Sequence, residues 1–210
     1  MSGAHSVLPP SGAAAWKLCG LWVAMNQAYP QPDTPESLEG NAAHWVFAEM
    51  LAGRQVSEGM QAPNGVFITD EMIEGAELVV DTVRARMPVE RFGAPRVEEA
   101  VAIPRIHPQC WGTPDIWAFS ASPLVLEVID YKFGHRLVDE YENDQGVAYI
   151  DGLVDVLAAK FGEGRGLFRG QVTGLWHCLA GVAKVGIRFV LQFDEAAGVE
   201  VRMGVIHAFQ

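Results

Sequence analysis

The sequence predicts an α/β fold, a mixed central β-sheet flanked by helices, and three observations predict it. The first 87 or so residues carry helix caps and helical spacing; residues 96–133 hold three short runs rich in Val, Ile and aromatics, bounded by Pro, Gly and Ser; a further helix and two more such runs close the chain. At 210 residues the chain suits one domain. Within it we expect a helical part over about 11–87, a sheet core over about 95–161 and closing strands over about 171–208.

The elements follow in order. Ser11 to Ala28 reads as a helix carrying Trp16, Cys19 and Leu21. The Pro-rich stretch Tyr29-Pro-Gln-Pro-Asp-Thr-Pro runs into a helix start, with Thr34 as N-cap, Pro35 at the first helical position and Glu36 in the first turn. That helix runs from about Pro35 to Leu51 and stops at Gly53. A third begins at Thr69-Asp70-Glu71 and ends before Pro88. Strands are expected over Arg96 to Pro104, Gly112 to Phe119 and Leu124 to Phe133, the last two joined by the turn Ser120-Ala-Ser-Pro123. A helix from about Val138 to Phe161 leads into the Gly-rich loop 162–166. Ile187 to Phe193 and Val199 to Ala208 form a strand pair around Asp194 to Gly198, while 171–182 fit neither type.

Composition narrows the function classes. Cys19, Cys110 and Cys178 are scattered and share no CxxC spacing, which argues against a disulfide framework or a four-cysteine metal site. The start MSGAHSVLPPSG lacks a basic region and a long apolar stretch, and no apolar run is long enough to span a bilayer, so a cytoplasmic protein without membrane contact is expected. The net charge of −11 opposes a polyanionic partner at first sight. Local fields matter more than the total, and Lys160, Arg165, Arg169, Lys184 and Arg188 face only Glu163 over their stretch. An ordinary solvated face is the plainer reading of that segment.

Chemistry concentrates in Gly112-Thr-Pro-Asp115 and Asp130-Tyr-Lys132. Asp130 and Lys132 share a face of their strand and Tyr131 points away. With the hairpin centred in the four-residue turn, paired numbers sum to 243, so Asp115 faces Val128 and lies diagonal to Asp130. A slip of one residue would part the two carboxylates. Paired carboxylates suit Mg²⁺ or Mn²⁺, and a neighbouring lysine can orient a water and offset charge on a pentavalent phosphorus. Glu127 alternates to the opposite face and reads as structural. A salt-bridged pair at a strand end would explain Asp130 and Lys132 without any chemistry.

Pro114-Asp115 with Asp130-Tyr131-Lys132 resembles the PD-(D/E)XK nuclease superfamily. Gly112-x-x-Asp115 with Asp130-Tyr-Lys-x-Gly134 is similar to its RecB-like branch, which includes lambda-type phage exonucleases. Glu39-Gly40-Asn-Ala-Ala-His44, Gln145-x-x-x-Tyr149 and the opening Ser11 to Cys19 fit the same branch, so the resemblance spans roughly 11–155. It implies a restriction-endonuclease-like αβββαβ core and DNA hydrolysis in recombination or repair. It also implies Mg²⁺ or Mn²⁺ on His44, Asp115, Asp130 and the Tyr131 carbonyl, with Lys132 as catalytic lysine. Gln145 and Tyr149 would line the site, and either Glu98 or Glu99 could add a carboxylate. Arg136, Arg165, Arg169 and Lys184 are the candidate contacts to DNA phosphates, and a single-strand annealing or recombination protein is the candidate partner. Iron–sulfur members use four cysteines; this chain has three, so no cluster is expected. The rival readings are an inactive nuclease-fold module that binds nucleic acid or protein, and an unrelated hydrolase of small phosphate esters.

Overall fold

A computed structural model describes residues 6–121, 124–134, 143–161, 187–192 and 199–208. Its architecture is mixed α/β, with helices on a central mixed sheet. A 3₁₀ turn, Pro10–Gly12, leads into two short helices, α1 (Ala13–Trp16) and α2 (Trp22–Ala28). Two long helices follow, α3 (Pro35–Leu51) and α4 (Asp70–Arg86), then one turn, α5 (Val89–Phe92). The strands are β1 (Arg96–Val97), β2 (Val101–Ala102), β3 (Trp111–Gly112), β4 (Ile116–Ala121) and β5 (Leu124–Phe133); then come α6 (Asp144–Phe161), β6 (Ile187–Gln192) and β7 (Val199–Ala208). The large sheet runs β1-β4-β5-β7-β6, and β2 pairs with β3 apart from it.

The long helices start where side chains can satisfy their first amides. The Thr34 hydroxyl accepts from the Ser37 amide at 3.2 Å while Ser37 Oγ accepts from the Thr34 amide at 2.9 Å, a closed capping box. Thr69 caps α4 through the Met72 amide at 3.3 Å. Buried Met72, Ala76, Val79, Val80 and Val83 form the inner stripe of α4. That stripe meets Ala42, Ala43, Val46 and Phe47 of α3, and both pack on Ile116, Ala118, Val125, Ile129 and Tyr131 of the sheet.

Three expectations change. The helix expected over Ser11 to Ala28 is broken between Trp16 and Trp22. Leu18, Leu21, Met25 and Tyr29 are all exposed, so no buried face holds one rod together across Gly20. The strand expected over Arg96 to Pro104 splits between two sheets, because Glu98 takes φ 47° and turns the chain. The strand expected over Gly112 to Phe119 likewise divides at Thr113 to Asp115 into β3 and β4. Residues 138–142, the loop 162–166, residues 171–182, Ser122, Pro123 and Asp194 to Gly198 lie outside the described residues.

On the β5 face opposite Asp130, the fully buried Glu127 pairs with Arg86 Nη2 of α4 at 2.6 Å. Removing one partner of such a pair strands a charge in the interior. Arg86→Met is therefore expected to lower unfolding free energy by about 3–5 kcal/mol, with Glu127→Leu added to it restoring most of the loss. Urea titrations of the two variants check this; a single-variant loss below about 1 kcal/mol would refute the pairing.

Candidate active site

Apart from Glu127, strand β5 is apolar until its end, where it delivers Asp130 and Lys132 to the same side. Asp130 is 2 % exposed, and Lys132 Nζ lies 2.9 Å from its Oδ2. The β4–β5 ladder pairs Ile116 with Ile129 and Ala121 with Leu124, so paired numbers sum to 245 instead of the expected 243. The turn is thus centred one residue further along the chain, with Ala121 paired to Leu124 rather than Ser120 to Pro123. Because the shift is even, every side chain keeps its face. One step past the last pair, Asp115 stands opposite Asp130 rather than diagonal to it.

Asp115 sits at a bend just before β4, and its carboxylate takes the place of a backbone partner: Oδ2 accepts from the Tyr131 amide at 2.6 Å. Its other oxygen, Oδ1, lies 3.3 Å from His44 Nδ1 of α3. The His44 ring is tilted over Tyr131 at 5.1 Å between centroids, and Tyr131 in turn meets Phe47 edge-on. Packing thus fixes the imidazole beside the carboxylate. His44 and Asp115 come from different layers, and only the strand end lets them meet.

Helix α6 closes the other side. Gln145 Nε2 donates to Asp130 Oδ1 at 3.2 Å and to Tyr149 Oη at 3.4 Å, while Gln145 Oε1 accepts from Lys132 Nζ at 3.4 Å. The spacing of four puts Gln145 and Tyr149 on one helical face. Two motif glycines have physical reasons. A Cβ on Gly112 would lie 2.8 Å from both Pro10 and the Tyr149 ring, and Gly134 takes φ 108° directly after β5. Gly40 has open space around it, and nothing in the structure explains its place in the motif.

The charges are strongly coupled. Burial and the nearby Asp115 charge push Asp130 up to about 6, against the pull of Lys132. Burial also works against ionised Asp115, but His44, Lys132 and the Tyr131 amide outweigh it and hold its carboxyl below the usual range. For His44 and Lys132, burial favours the neutral forms; Asp115 raises His44, and Asp130 with Asp115 raises Lys132, so both end above their ordinary values. Burial raises both Tyr131 and Tyr149.

The structure separates Glu98 from Glu99, which the sequence could not. The Glu98 amide donates to the Asp115 carbonyl at 3.0 Å, and partial burial raises its carboxyl, with His44 opposing and Asp115 adding to the rise. Its side chain stays open to solvent at the rim of the site. Glu99 instead binds Arg96 at 2.6 Å. No sequence signal marks Glu98, because a glutamate rarely takes positive φ. His44, Asp115, Asp130, Tyr131, Lys132, Gln145 and Tyr149 are all brought together. Arg136, Arg165, Arg169 and Lys184 lie outside the described residues.

Among the described residues, no group of three His, Cys, Asp or Glu side chains is gathered as a ready metal cage. The donor chemistry nevertheless fits a hard divalent ion, since Mg²⁺ commonly uses one or two carboxylates and takes its other oxygens from water and phosphate. Burial first and the Asp115 charge second raise Asp130, and a cation between the two carboxylates would relieve both. Cys19 is exposed and Cys110 buried, both as free thiols. No described helix is long and apolar enough to cross a membrane.

The raised Asp130 gives a stability prediction. Its carboxyl holds its proton to higher pH in the fold than in the unfolded chain, whose ordinary value is about 3.9. Between the two values the native state binds the extra proton, so this group's contribution falls as pH rises and stays low above about pH 6. Asp130→Asn is expected to raise Tm by several degrees near pH 8 in EDTA, on the order of 2 kcal/mol, with the gap narrowing toward pH 4. A lower Tm for the variant at about pH 8 would show the charge to be stabilising instead.

No solved structure matches this chain. A family model described as "Protein of unknown function (DUF2800)" matches residues 5–159, a span that holds every residue of the site from His44 to Tyr149. The chain belongs to the DUF2800 family.

Proposed function

We propose that this chain is a Mg²⁺- or Mn²⁺-dependent DNA nuclease of the PD-(D/E)XK kind, a cytoplasmic exonuclease of recombination or repair. The observation that carries the reading is the meeting of Asp115 and Asp130 at one strand end with Lys132 beside them and His44 and Gln145 closing the two sides. Asp115 and Asp130, with His44 and the Tyr131 carbonyl, would hold the divalent ion. When bound, that ion supplies a Lewis acid for the scissile phosphate and a more acidic water.

The protein's own groups do the rest. Lys132 keeps a full positive charge next to Asp130, where negative charge grows as a phosphodiester is attacked. Gln145 spans Asp130 and Lys132, so neither swings away while substrate is absent. Tyr149 steadies the Gln145 amide from one turn along the helix. His44 holds one oxygen of Asp115 and the Tyr131 amide holds the other, which fixes that carboxylate's plane.

A second reading has its own support. Lys132–Asp130 and His44–Asp115 are internal pairs, and a silent module that binds nucleic acid or protein could keep them for stability alone. One assay separates the two. End-labelled linear DNA and closed circular DNA are incubated with the protein in Mg²⁺, Mn²⁺ or EDTA. Degradation of the linear form with either ion, and none in EDTA, is expected. Lys132→Ala and Asp130→Asn are each expected to cut the rate by at least about 10²-fold. Wild-type rates in either variant, or no cleavage by the parent protein in any ion, reject the nuclease assignment.

A further inference from the structure

The N-terminal segment before α2 is tied to the site helix α6, to β3 and to the turn that precedes β3. Ser6 Oγ donates to the Gln109 carbonyl at 3.2 Å and accepts from the Trp111 amide at 3.1 Å. The Leu8 carbonyl accepts from Cys110 Sγ at 3.1 Å. The Pro9 carbonyl accepts from Trp16 Nε1 at 2.9 Å, which folds the segment back on itself. Lys17 Nζ reaches the carboxylate of Asp144 at 2.6 Å, and Asp144 is the first residue of α6, directly before Gln145. Pro10 is buried, and with the Tyr149 ring it presses over Gly112 so closely that a Cβ there would sit 2.8 Å from each.

These ties bear on both ends of one short chain of contacts. Tyr149 and Gln145 share a helical face, and the Gln145 amide reaches Asp130 and Lys132. The first turn of a helix is where fraying begins, and Gln145 lies in it. We propose that Ser6–Lys17 is a positioning segment: Pro10, packed with Tyr149 over Gly112, and Lys17, paired with Asp144, hold the start of α6 so that the Gln145 amide stands between Asp130 and Lys132. Its effect on catalysis rests on the nuclease reading above; its effect on Gln145 does not.

The test uses the full chain and two readouts. In the first, the side-chain amide resonance of Gln145, assigned by its loss in Gln145→Ala, is followed by NMR in Pro10→Ala, Lys17→Gln and Lys17→Arg. Pro10→Ala and Lys17→Gln are expected to move it toward the position of a solvent-exposed amide while core methyl shifts stay put, and Lys17→Arg to leave it near wild type. In the second, DNA cleavage with Mg²⁺ is expected to show kcat lowered about tenfold in the first two variants with KM unchanged, the mark of misplacement rather than lost binding. An unmoved Gln145 resonance in Lys17→Gln overturns the proposal, as does a loss carried by KM alone. If Pro10→Ala fails to fold, the Lys17→Gln and Lys17→Arg pair decides by itself. A shifted resonance in a protein that cuts no DNA supports the positioning role and rejects the nuclease reading.

Discussion

Asp115 and Asp130 face each other at the end of the β4–β5 ladder, both largely shielded from water. Two carboxylates in such a place repel each other far more than they would in solution, and neither is solvated well enough to stay charged unaided. Most of what surrounds them answers that constraint. The Tyr131 amide and His44 satisfy Asp115; Lys132 and Gln145 satisfy Asp130. The answers come from both layers, α3 on one side of the sheet and α6 on the other. A strand end is the place where groups from the two faces can converge, so the architecture and the site share one requirement.

The pairing of β4 with β5 shows which part of that requirement is written locally. Centring the turn between Ser120 and Pro123 gives the wrong sum, because the chain pairs Ala121 with Leu124, one residue further along. The faces survive because alternation has a period of two, and the error was itself two residues. What the residues dictate firmly is parity, through Val125, Ile129 and Tyr131 on the side that packs against α3 and α4, and Asp130 with Lys132 on the other. Register is fixed by turn geometry, and Ser120 to Pro123 carry no Asn-Gly or Asp-Gly pair that would mark which two residues form the turn. The helices α3 and α4 were legible for a similar reason, since Thr34, Pro35 and Thr69 act within a few residues of themselves.

Features that needed distant contacts were not legible. Nothing near Glu98 in sequence forces its positive φ; the bend follows from the Asp115 carbonyl capturing its amide across the sheet. Trp16 looked like one residue of a long helix, yet its indole bonds back to Pro9 and the helix ends there. The choice between Glu98 and Glu99 turned on Arg96, which takes Glu99 away toward itself. Gly112 could be read as a motif letter, but its reason is a collision with Pro10 and Tyr149 that no local pattern encodes. In each case the deciding partner comes from another element or from several residues away.

Strand β5 also carries a comparison that bears on function. It holds two buried carboxylates, Glu127 and Asp130, on opposite faces. Glu127 meets a guanidinium at 2.6 Å from a helix packed over it, an arrangement of opposite charges well matched to structural use. Asp130 meets an ammonium at 2.9 Å and shares its surroundings with a second carboxylate, Asp115. Burial and that neighbour lift its carboxyl to about 6 against the pull of Lys132. Holding Asp130 ionised in that place costs the fold stability. Under the proposed nuclease reading, a bound cation would relieve the repulsion between Asp115 and Asp130 that contributes to that rise.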